Sequence, residues 1–257
     1  MSPKTQKNKF FSVWAEIDLE ALKKNLHVIQ GMLKNPSAAL LAVVKADAYG
    51  HGMIPVSKTL WKEGVRLFGV ANIDEALQLR QALPKAGILV LSCFHPSQLK
   101  NFISKKIIPT LSSIEDAVLL NRALVAKRGF PVHVKIDTGM GRLGLPPAQV
   151  EDFFKKIKTL SGIRVEGVYT HFSSADDQSS APTRAQLKIF DQVLKKIQQA
   201  GLKPKWVHAS NSLGLLRFKE ARFNLVRPGL ILYGLKPSPR AKLPQGIAPI
   251  LSWKTRI

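Results

Sequence analysis

Eight short apolar runs alternate with amphipathic stretches along the 257 residues, and few folds accommodate that rhythm. The runs are continuously apolar rather than alternating, as expected for strands that are covered on both faces. They span residues 40–45, 67–71, 87–92, 107–111, 131–137, 164–171, 206–210 and 224–230. Helical periodicity lies between them at 19–33, 54–63, 74–82, 96–104, 114–127, 147–160 and 185–200. The pattern predicts an α/β fold, a (β/α)8 barrel of the TIM type.

A doubly wound sheet is the alternative arrangement of the same strands and helices. That fold carries a Gly-rich dinucleotide turn between its first strand and first helix. Here Gly139, Gly141 and Gly144 have a different spacing and do not open a helix. The closed barrel is therefore the favoured prediction.

The charge of the chain is strongly positive, with 39 Lys and Arg against 17 Asp and Glu and a net charge of +22. The lysines occur in scattered pairs on helical stretches, with no basic run of five and no aromatic interleaving. This pattern indicates solvated helix faces and predicts neither nucleic acid nor a membrane as partner.

No apolar run approaches the ~18–20 residues that a membrane helix needs. The basic N-terminus is not followed by the apolar core of a signal peptide. The single cysteine, Cys93, has no partner for an internal disulfide, which agrees with a reducing compartment. We therefore expect a cytoplasmic protein.

The amino-acid composition of the sequence changes after residue 235. Four prolines fall within residues 236–249, which is typical of a linker. A strand-like run follows at 250–257, and we expect it to have no partner strand within this chain. We predict a barrel over residues 1–235, a Pro-rich linker over 236–249, and at 250–257 the start of a truncated C-terminal β domain.

Polar residues at the carboxyl ends of the predicted strands are the candidates for chemistry, because barrel active sites form there. They are Lys45, Lys135, Asp137, His171, Asn211, Ser212 and Arg227, and the backbone N–H groups of Gly229 and Leu230 join them after the eighth strand. A lysine in a dry barrel mouth has a lowered pKa and attacks aldehydes. A serine hydroxyl and accessible backbone N–H groups after the seventh and eighth strands suit a phosphate. These are the parts that a pyridoxal-phosphate enzyme needs, and the pattern predicts no metal site.

The stretch Ala42 to Gly52, AVVKADAYGHG, resembles the pyridoxal-phosphate lysine motif of alanine racemases, VVKADAYGHG. Five further segments are similar to alanine racemases and occur in the family's order. They are WAEIDL at 14–19, KIDTGMGRLG at 135–144, THF at 170–172, ASNS at 209–212 and RPGL at 227–230. The resemblance therefore covers nearly the whole chain.

The resemblance implies that Lys45 carries pyridoxal 5'-phosphate as a Schiff base and is one catalytic base. It also implies that Tyr49, Ser212, Gly229 and Leu230 bind the phosphate group of the cofactor. These assignments follow from the family's motifs at matching positions of this sequence.

The same resemblance assigns the residues around the cofactor ring. Arg227 is expected to face the pyridine nitrogen, and His171 to lie beside the ring and orient Arg227. Arg142 is expected to support the phenolic oxygen, and Asn211 to belong to the cofactor site. Lys135, carbamylated in some members of the family, is expected to hold Arg142 in place.

The activity implied is the interconversion of L-alanine and D-alanine, which supplies D-alanine for peptidoglycan, in a homodimer. Racemisation needs a second base, which in the family is a tyrosine of a C-terminal β-rich domain donated across the dimer. Neither Tyr49, Tyr169 nor Tyr233 matches that motif. We therefore expect the second base to lie outside these residues and the isolated fragment to be nearly inactive.

Two rival functions remain open at this level. One is a single-domain pyridoxal-phosphate barrel of the cofactor-homeostasis type, which binds the cofactor without turnover and ends near this length. The lysine motif, the loop at 137–144 and the strand-like end at 253–257 argue against it. The other is a fold-related amino-acid decarboxylase, whose chains are much longer and differ around the lysine.

Overall fold

The computed structural model describes residues 12–33, 38–125 and 128–256. Its strands are β1 (Val13–Ile17), β2 (Ala39–Val43), β3 (Leu67–Val70), β4 (Gly87–Val90), β5 (Thr110–Leu111), β6 (Phe130–Lys135), β7 (Ile163–Tyr169), β8 (Trp206–His208), β9 (Leu225–Val226) and β10 (Leu251–Thr255). Its helices are α1 (Leu19–Gly31), α2 (Lys45–Gly50), α3 (Met53–Lys62), α4 (Ile73–Ala82), α5 (Leu99–Ser104), α6 (Ile114–Ala123), α7 (Val150–Ile157), α8 (Ala181–Gln199) and α9 (Ser212–Arg217).

Strands β2 to β9 form one ring of parallel strands. Ladders join β9, β2, β3 and β4 on one side and β5, β6, β7 and β8 on the other. The N–H of Ile108 donates to the carbonyl of Ile88 at 2.8 Å, which joins the two halves before β5. At the second seam, the N–H of Arg227 donates to the carbonyl of Ser210 at 3.0 Å. The eight-stranded α/β barrel predicted from the sequence is confirmed.

The strands are apolar on both faces because each face is buried against a different layer. In β2, Leu41 and Val43 belong to a small cluster with Leu89, Ile108 and Leu225. Leu40 and Ala42 alternate with them and belong to the large cluster that includes the helices. Alternate residues of a strand point to opposite faces, so the small cluster fills the barrel interior.

The seven predicted helices are present with shifted ends. The helix predicted at 185–200 begins four residues earlier, at Ala181. The helices predicted at 96–104 and 147–160 each begin with a 3₁₀ turn. Residues 126 and 127, at the predicted end of α6, lie outside the described residues. Within the described ranges, no helix is both long enough and apolar enough to cross a bilayer.

The strand at the carboxyl end of the chain has a partner, so the expectation of an unpaired strand is wrong. Strand β10 pairs antiparallel with β1, from Val13 opposite Thr255 to Ile17 opposite Leu251. The N–H of Asp18 also donates to the carbonyl of Ile250 at 2.7 Å. This pairing joins segments more than 230 residues apart, which local sequence patterns do not reveal. The division into domains stays a prediction.

The Pro-rich segment at 236–249 is attached to α1 by the buried side chain of Asn25. Its Nδ2 donates to the carbonyls of Leu232 and Ala248 at 3.0 and 2.8 Å. Its Oδ1 accepts from the N–H of Ala248 at 2.9 Å. Gly234 has φ +72°, and a Cβ there would overlap the carbonyl of Ala248. This part of the segment is therefore closely packed.

Replacing Asn25 with Ala is expected to lower the free energy of unfolding by about 2–4 kcal/mol, because buried backbone groups lose their partners. Urea titration followed by circular dichroism measures the change. Gln30→Ala, on the exposed side of the same helix, is the matched control and is expected to stay within about 0.5 kcal/mol. Equal losses for the two variants would contradict the role of Asn25.

Candidate active site

A cavity of about 680 Å³ lies at the carboxyl ends of the barrel strands. Ten of the eleven candidate residues line it, namely Lys45, Tyr49, Lys135, Arg142, His171, Asn211, Ser212, Arg227, Gly229 and Leu230, whereas Asp137 does not. Leu91, Ser92 and Cys93 line it as well. The volume is in the range of sites for small molecules and cofactors. The structure brings the predicted residues together, while the role of each stays a prediction.

The segment labelled α2, which connects Lys45 to Tyr49, is a left-handed turn and not a right-handed α-helix. Residues Ala46 to Tyr49 have φ between +52° and +55°, although none of them is glycine. Such a conformation costs roughly 1–2 kcal/mol per residue. Asp47 holds its far end, because its side chain accepts from the N–H of Met53 at 2.6 Å. The residue types do not predict this handedness, since none of the four is glycine, the residue that adopts positive φ most readily.

A set of hydrogen-bond donors gathers around Ser212. The hydroxyl of Ser212 accepts from the N–H groups of Gly229 at 3.0 Å and Ile231 at 3.3 Å. A Cβ on Gly229 would lie 2.9 Å from the phenolic oxygen of Tyr49, so only glycine leaves this space. Burial raises the pKa of Tyr49, which keeps its phenol a donor. Two hydroxyls and backbone N–H groups suit a phosphate. Sequence reasoning named Leu230 here; Ile231, whose N–H bonds to Ser212, is not among the residues that line the cavity.

Arg227 is buried at the base of the cavity and is 3% exposed. Its Nη2 donates to the carbonyls of Thr170 and Ala209 at 2.8 and 3.0 Å. Its Nη1 lies 2.9 Å from Nδ1 of His208, and its Nη2 lies 3.3 Å from Nδ1 of His171. A guanidinium only donates, so both Nδ1 atoms accept. Both imidazoles therefore carry their proton on Nε2.

The hydrogen-bonded chain continues into the barrel behind Arg227. Nε2 of His208 donates to Nδ1 of His133 over 2.9 Å. The ring of Tyr169 stacks on His208 with centroids 4.6 Å apart and planes within 5°. The phenol of Tyr169 is 2.9 Å from the hydroxyl of Thr110. These buried groups fix the imidazole of His208 against Arg227.

Sequence reasoning missed this inner layer. His133, Tyr169 and His208 lie two positions before Lys135, His171 and Ser210, the first two of which were recognised at strand ends. Residues i and i+2 of a strand point to the same face. The signal was therefore available, as the next inward-facing residue along each of these strands.

The buried histidines are held in their neutral form. Burial, reinforced by the charge of Arg227, lowers the pKa of His133 to about 3. The same causes lower the pKa of His171 to about 3 and that of His208 well below its usual value. At neutral pH these imidazoles therefore serve Arg227 as hydrogen-bond acceptors or relays rather than as cations.

Two cations border the cavity with lowered pKa values. Burial lowers the pKa of the Arg227 guanidinium to about 10, so Arg227 remains charged at neutral pH. Burial and the positive charges of Arg142 and Arg227 lower the pKa of the Lys135 amine to about 8. Part of the Lys135 population is therefore a neutral amine near pH 8.

The loop that carries Arg142 is organised by one carboxylate. Asp137 accepts from the N–H groups of Gly139, Met140 and Gly141 at 2.8 to 3.1 Å. Burial raises the pKa of Asp137, but these donors outweigh that effect and its pKa lies below the usual value. The carboxylate therefore keeps the loop folded at neutral pH, with Arg142 at the cavity wall.

Two side-chain amides support the neighbouring loops. Nε2 of Gln186, on α8, donates to the hydroxyl of Thr138 and to the carbonyl of His171 at 3.3 and 3.2 Å. Sequence reasoning did not identify Gln186. Asn211 lines the cavity and also caps α9, because its Oδ1 accepts from the N–H of Gly214 at 2.8 Å.

The free energy of unfolding is expected to fall as the pH drops below about 6.5, the usual pKa of an exposed histidine. His133 and His208 take up protons in the unfolded chain from that pH downward, whereas in the fold burial and the charge of Arg227 lower the pKa of His133 to about 3 and that of His208 well below its usual value. The loss reaches about 1.4 kcal/mol per pH unit for each group. Urea unfolding between pH 8 and pH 5 measures it. His133→Asn is expected to reduce the slope by about one proton, and an unchanged slope would contradict the assignment.

Residues 17–237 match the family model described as alanine racemase, N-terminal domain. An alanine racemase of Halothermothrix orenii is 42% identical over 246 residues, which cover 95% of this chain and 64% of that protein. The solved alanine racemase of Clostridium difficile 630 is 34% identical with a TM-score of 0.90, over 96% of this chain and 68% of that one.

The alanine racemase of Bartonella henselae, solved with covalently bound pyridoxal phosphate, is 29% identical with a TM-score of 0.85. The match extends over 96% of this chain and 67% of the Bartonella henselae protein. This chain thus spans 64% of the length of its relative from Halothermothrix orenii. These matches favour the racemase family over a single-domain cofactor carrier. The chain belongs to the alanine racemase family, of which it carries the N-terminal domain.

Proposed function

We propose that this chain binds pyridoxal 5'-phosphate through Lys45 and forms the cofactor-binding part of an alanine racemase. The observation that carries the proposal is one cavity in which the Lys45 amine, the donors around Ser212 and the cation of Arg227 come together. A relative with the cofactor covalently bound supports the assignment.

The residues of the cavity fit this cofactor in two respects. The absent side chain of Gly229 leaves the phenol of Tyr49 and the hydroxyl of Ser212 open to a phosphate. Arg227 uses Nη1 and Nη2 for its protein partners, and within the described part of the chain no acceptor is seen for its Nε. That N–H is free to meet a ring nitrogen.

Lys45 and Arg227 divide the chemistry in this proposal. When bound, pyridoxal phosphate supplies a conjugated ring that spreads the negative charge left when a substrate loses its Cα proton. Nζ of Lys45, released when the substrate amine takes its place on the cofactor, would take that proton on the face of Cα that it reaches and would return one there. Arg227 donates a hydrogen bond to the pyridine nitrogen but, as a strong base, does not release a proton to it. Arg227 thereby restrains side reactions such as transamination.

The second base is proposed to come from outside these residues. The phenol of Tyr233 is buried and donates to the carbonyl of Val43 at 2.8 Å. Tyr169 is buried with its pKa raised to about 12, and Tyr49 lies at the proposed phosphate site. His171 lines the cavity, but with a pKa of about 3 it is a weak base. The three tyrosines of the chain are thus otherwise engaged.

We propose residues 1–235 as the barrel unit, 236–249 as the connection and 250–257 as the start of a C-terminal β domain that completes the site in a homodimer. The ribbon of β1 and β10 supports a covering element, because Val13, Leu251 and Trp253 are 43%, 38% and 73% exposed. Exposed apolar side chains of this size are typical of surfaces that another element covers.

Borohydride reduction of the chain in the presence of pyridoxal phosphate is expected to fix the cofactor on the peptide that contains Lys45. Lys45→Arg is expected to abolish the labelling, because a guanidinium does not condense with the aldehyde. Lys62→Arg, at an exposed position on α3, is the control and is expected to leave it unchanged. Peptide mass spectrometry locates the label, and equal labelling of the Lys45→Arg variant would refute the assignment.

The chain with pyridoxal phosphate in deuterated water is expected to exchange the Cα hydrogen of one enantiomer of alanine, because Lys45 serves one face of Cα. Inversion is expected to be slower by about 10²–10⁴, the usual effect of a missing acid–base group. Proton NMR follows exchange and a chiral separation follows inversion. Inversion as fast as exchange would show that a second base lies within these residues.

A further inference from the structure

The carboxylate of Glu75, in the first turn of α4, joins two loops at the mouth of the barrel. Its Oε1 accepts from the N–H of Ala46 at 2.7 Å. Its Oε2 accepts from the N–H of Ala71 at 2.7 Å. Ala46 directly follows Lys45, and Ala71, which follows β3, lines the cavity. One half-buried side chain thus bridges the ends of β2 and β3.

Helix capping explains only part of this arrangement. Asn72 caps α4, because its Oδ1 accepts from the N–H of Glu75 at 3.0 Å. In an Asn-x-x-Glu capping pattern, the glutamate reaches back to the chain just before its own helix. The bond to Ala71 resembles that use and occupies one oxygen. The second oxygen accepts from the N–H of Ala46, 29 residues earlier in the chain, and this bond does not cap α4.

Ala46 is where an external acceptor is needed. It begins the left-handed turn of Ala46 to Tyr49, whose conformation is unfavourable for each of its residues. Strained backbone of this kind persists where the surrounding structure determines it from several sides. Asp47 and the N–H of Met53 hold the far end of the turn. Glu75 holds its near end, with a charge-assisted bond to a donor at the helix start.

We propose that Glu75 is a positioning residue that holds Lys45 and Tyr49 at the separation that the cofactor requires. The turn between them sets the distance from the Lys45 amine to the Tyr49 phenol. A ligand that bonds covalently to the amine and places a phosphate at the phenol requires both positions at once. Glu75 acts through the backbone of Ala46 and contacts neither group directly. This inference rests on the proposed binding of pyridoxal phosphate.

Asp116 offers a matched control in another part of the barrel. It lies in the first turn of α6, and its Oδ2 accepts from the N–H and the hydroxyl of Ser112 at 3.4 and 3.2 Å. It thus bonds to the loop that precedes its own helix, as Glu75 does. Ser112 is not among the residues that line the cavity. Asp116→Asn therefore changes a comparable carboxylate without touching the turn.

The first test compares the affinities of each variant for pyridoxal phosphate and for pyridoxal, which lacks the phosphate. In Glu75→Gln, the amide accepts from one N–H group and turns its own donors toward the other. The loss of one such bond is expected to weaken binding of pyridoxal phosphate about tenfold. Pyridoxal uses the amine but not the phenol, so its affinity is expected to fall much less. Asp116→Asn is expected to leave both affinities within about twofold.

The ratio of the two affinities separates positioning from stability, because a general loss of stability weakens both ligands alike. Glu75→Asp keeps the charge but is one methylene shorter, so it does not span both N–H groups and is expected to behave like Glu75→Gln. Circular dichroism establishes that each variant is folded. An unchanged ratio in both Glu75 variants would overturn the proposal.

The second test needs no cofactor. Hydrogen exchange of the backbone amides from Ala46 to Gly50 is expected to be about tenfold faster in Glu75→Gln than in the chain without substitutions or in Asp116→Asn. Unchanged exchange would overturn the role of Glu75. If the unchanged chain fails to bind pyridoxal phosphate at Lys45, the proposed function fails, and the exchange rates alone decide whether Glu75 holds the turn.

Discussion

The buried guanidinium of Arg227 is the group on which the site depends. A charge inside a barrel is tolerated only when its donors are satisfied, and leaving them unpaired costs several kcal/mol. The carbonyls of Thr170 and Ala209 and the imidazoles of His171 and His208 accept from its Nη1 and Nη2, and among the described residues only its Nε is left for a ligand. The carboxyl ends of β7, β8 and β9 are therefore drawn together around one cation. The same cation dictates which ring nitrogen of each imidazole carries the proton.

The opposite side of the cavity depends on backbone conformation instead of charge. The left-handed turn after Lys45 brings the phenol of Tyr49 against Gly229, where a side chain would not fit. The two sides complement each other, since one presents hydroxyls and N–H groups and the other presents a cation. Glu75 and Asp137 support their loops from outside the cavity, each by accepting N–H groups of a βα connection.

Periodicity predicted the eight strands and seven helices because each barrel strand is covered on both faces and each helix on one. Motifs predicted the lysine, the arginine and the serine of the site because these residues follow strands directly. The alternation of strand residues pointed inward to His208 and Tyr169, but their partners escaped prediction, since a buried polar residue within an apolar run does not show what it contacts. The pairing of β10 with β1 escaped it because strand pairing is not local.

Patterns and motifs along the chain were enough to predict the barrel fold, the family and the set of residues that gather at the mouth of the barrel. It was not enough for the handedness of the turn at Ala46, for the neutral state of His208 or for the bridge made by Glu75. Each of these depends on groups far apart in sequence that approach within hydrogen-bond distance only after the barrel closes. Burial then decides protonation, and close backbone contact decides conformation, which is why the folded structure was required to see them.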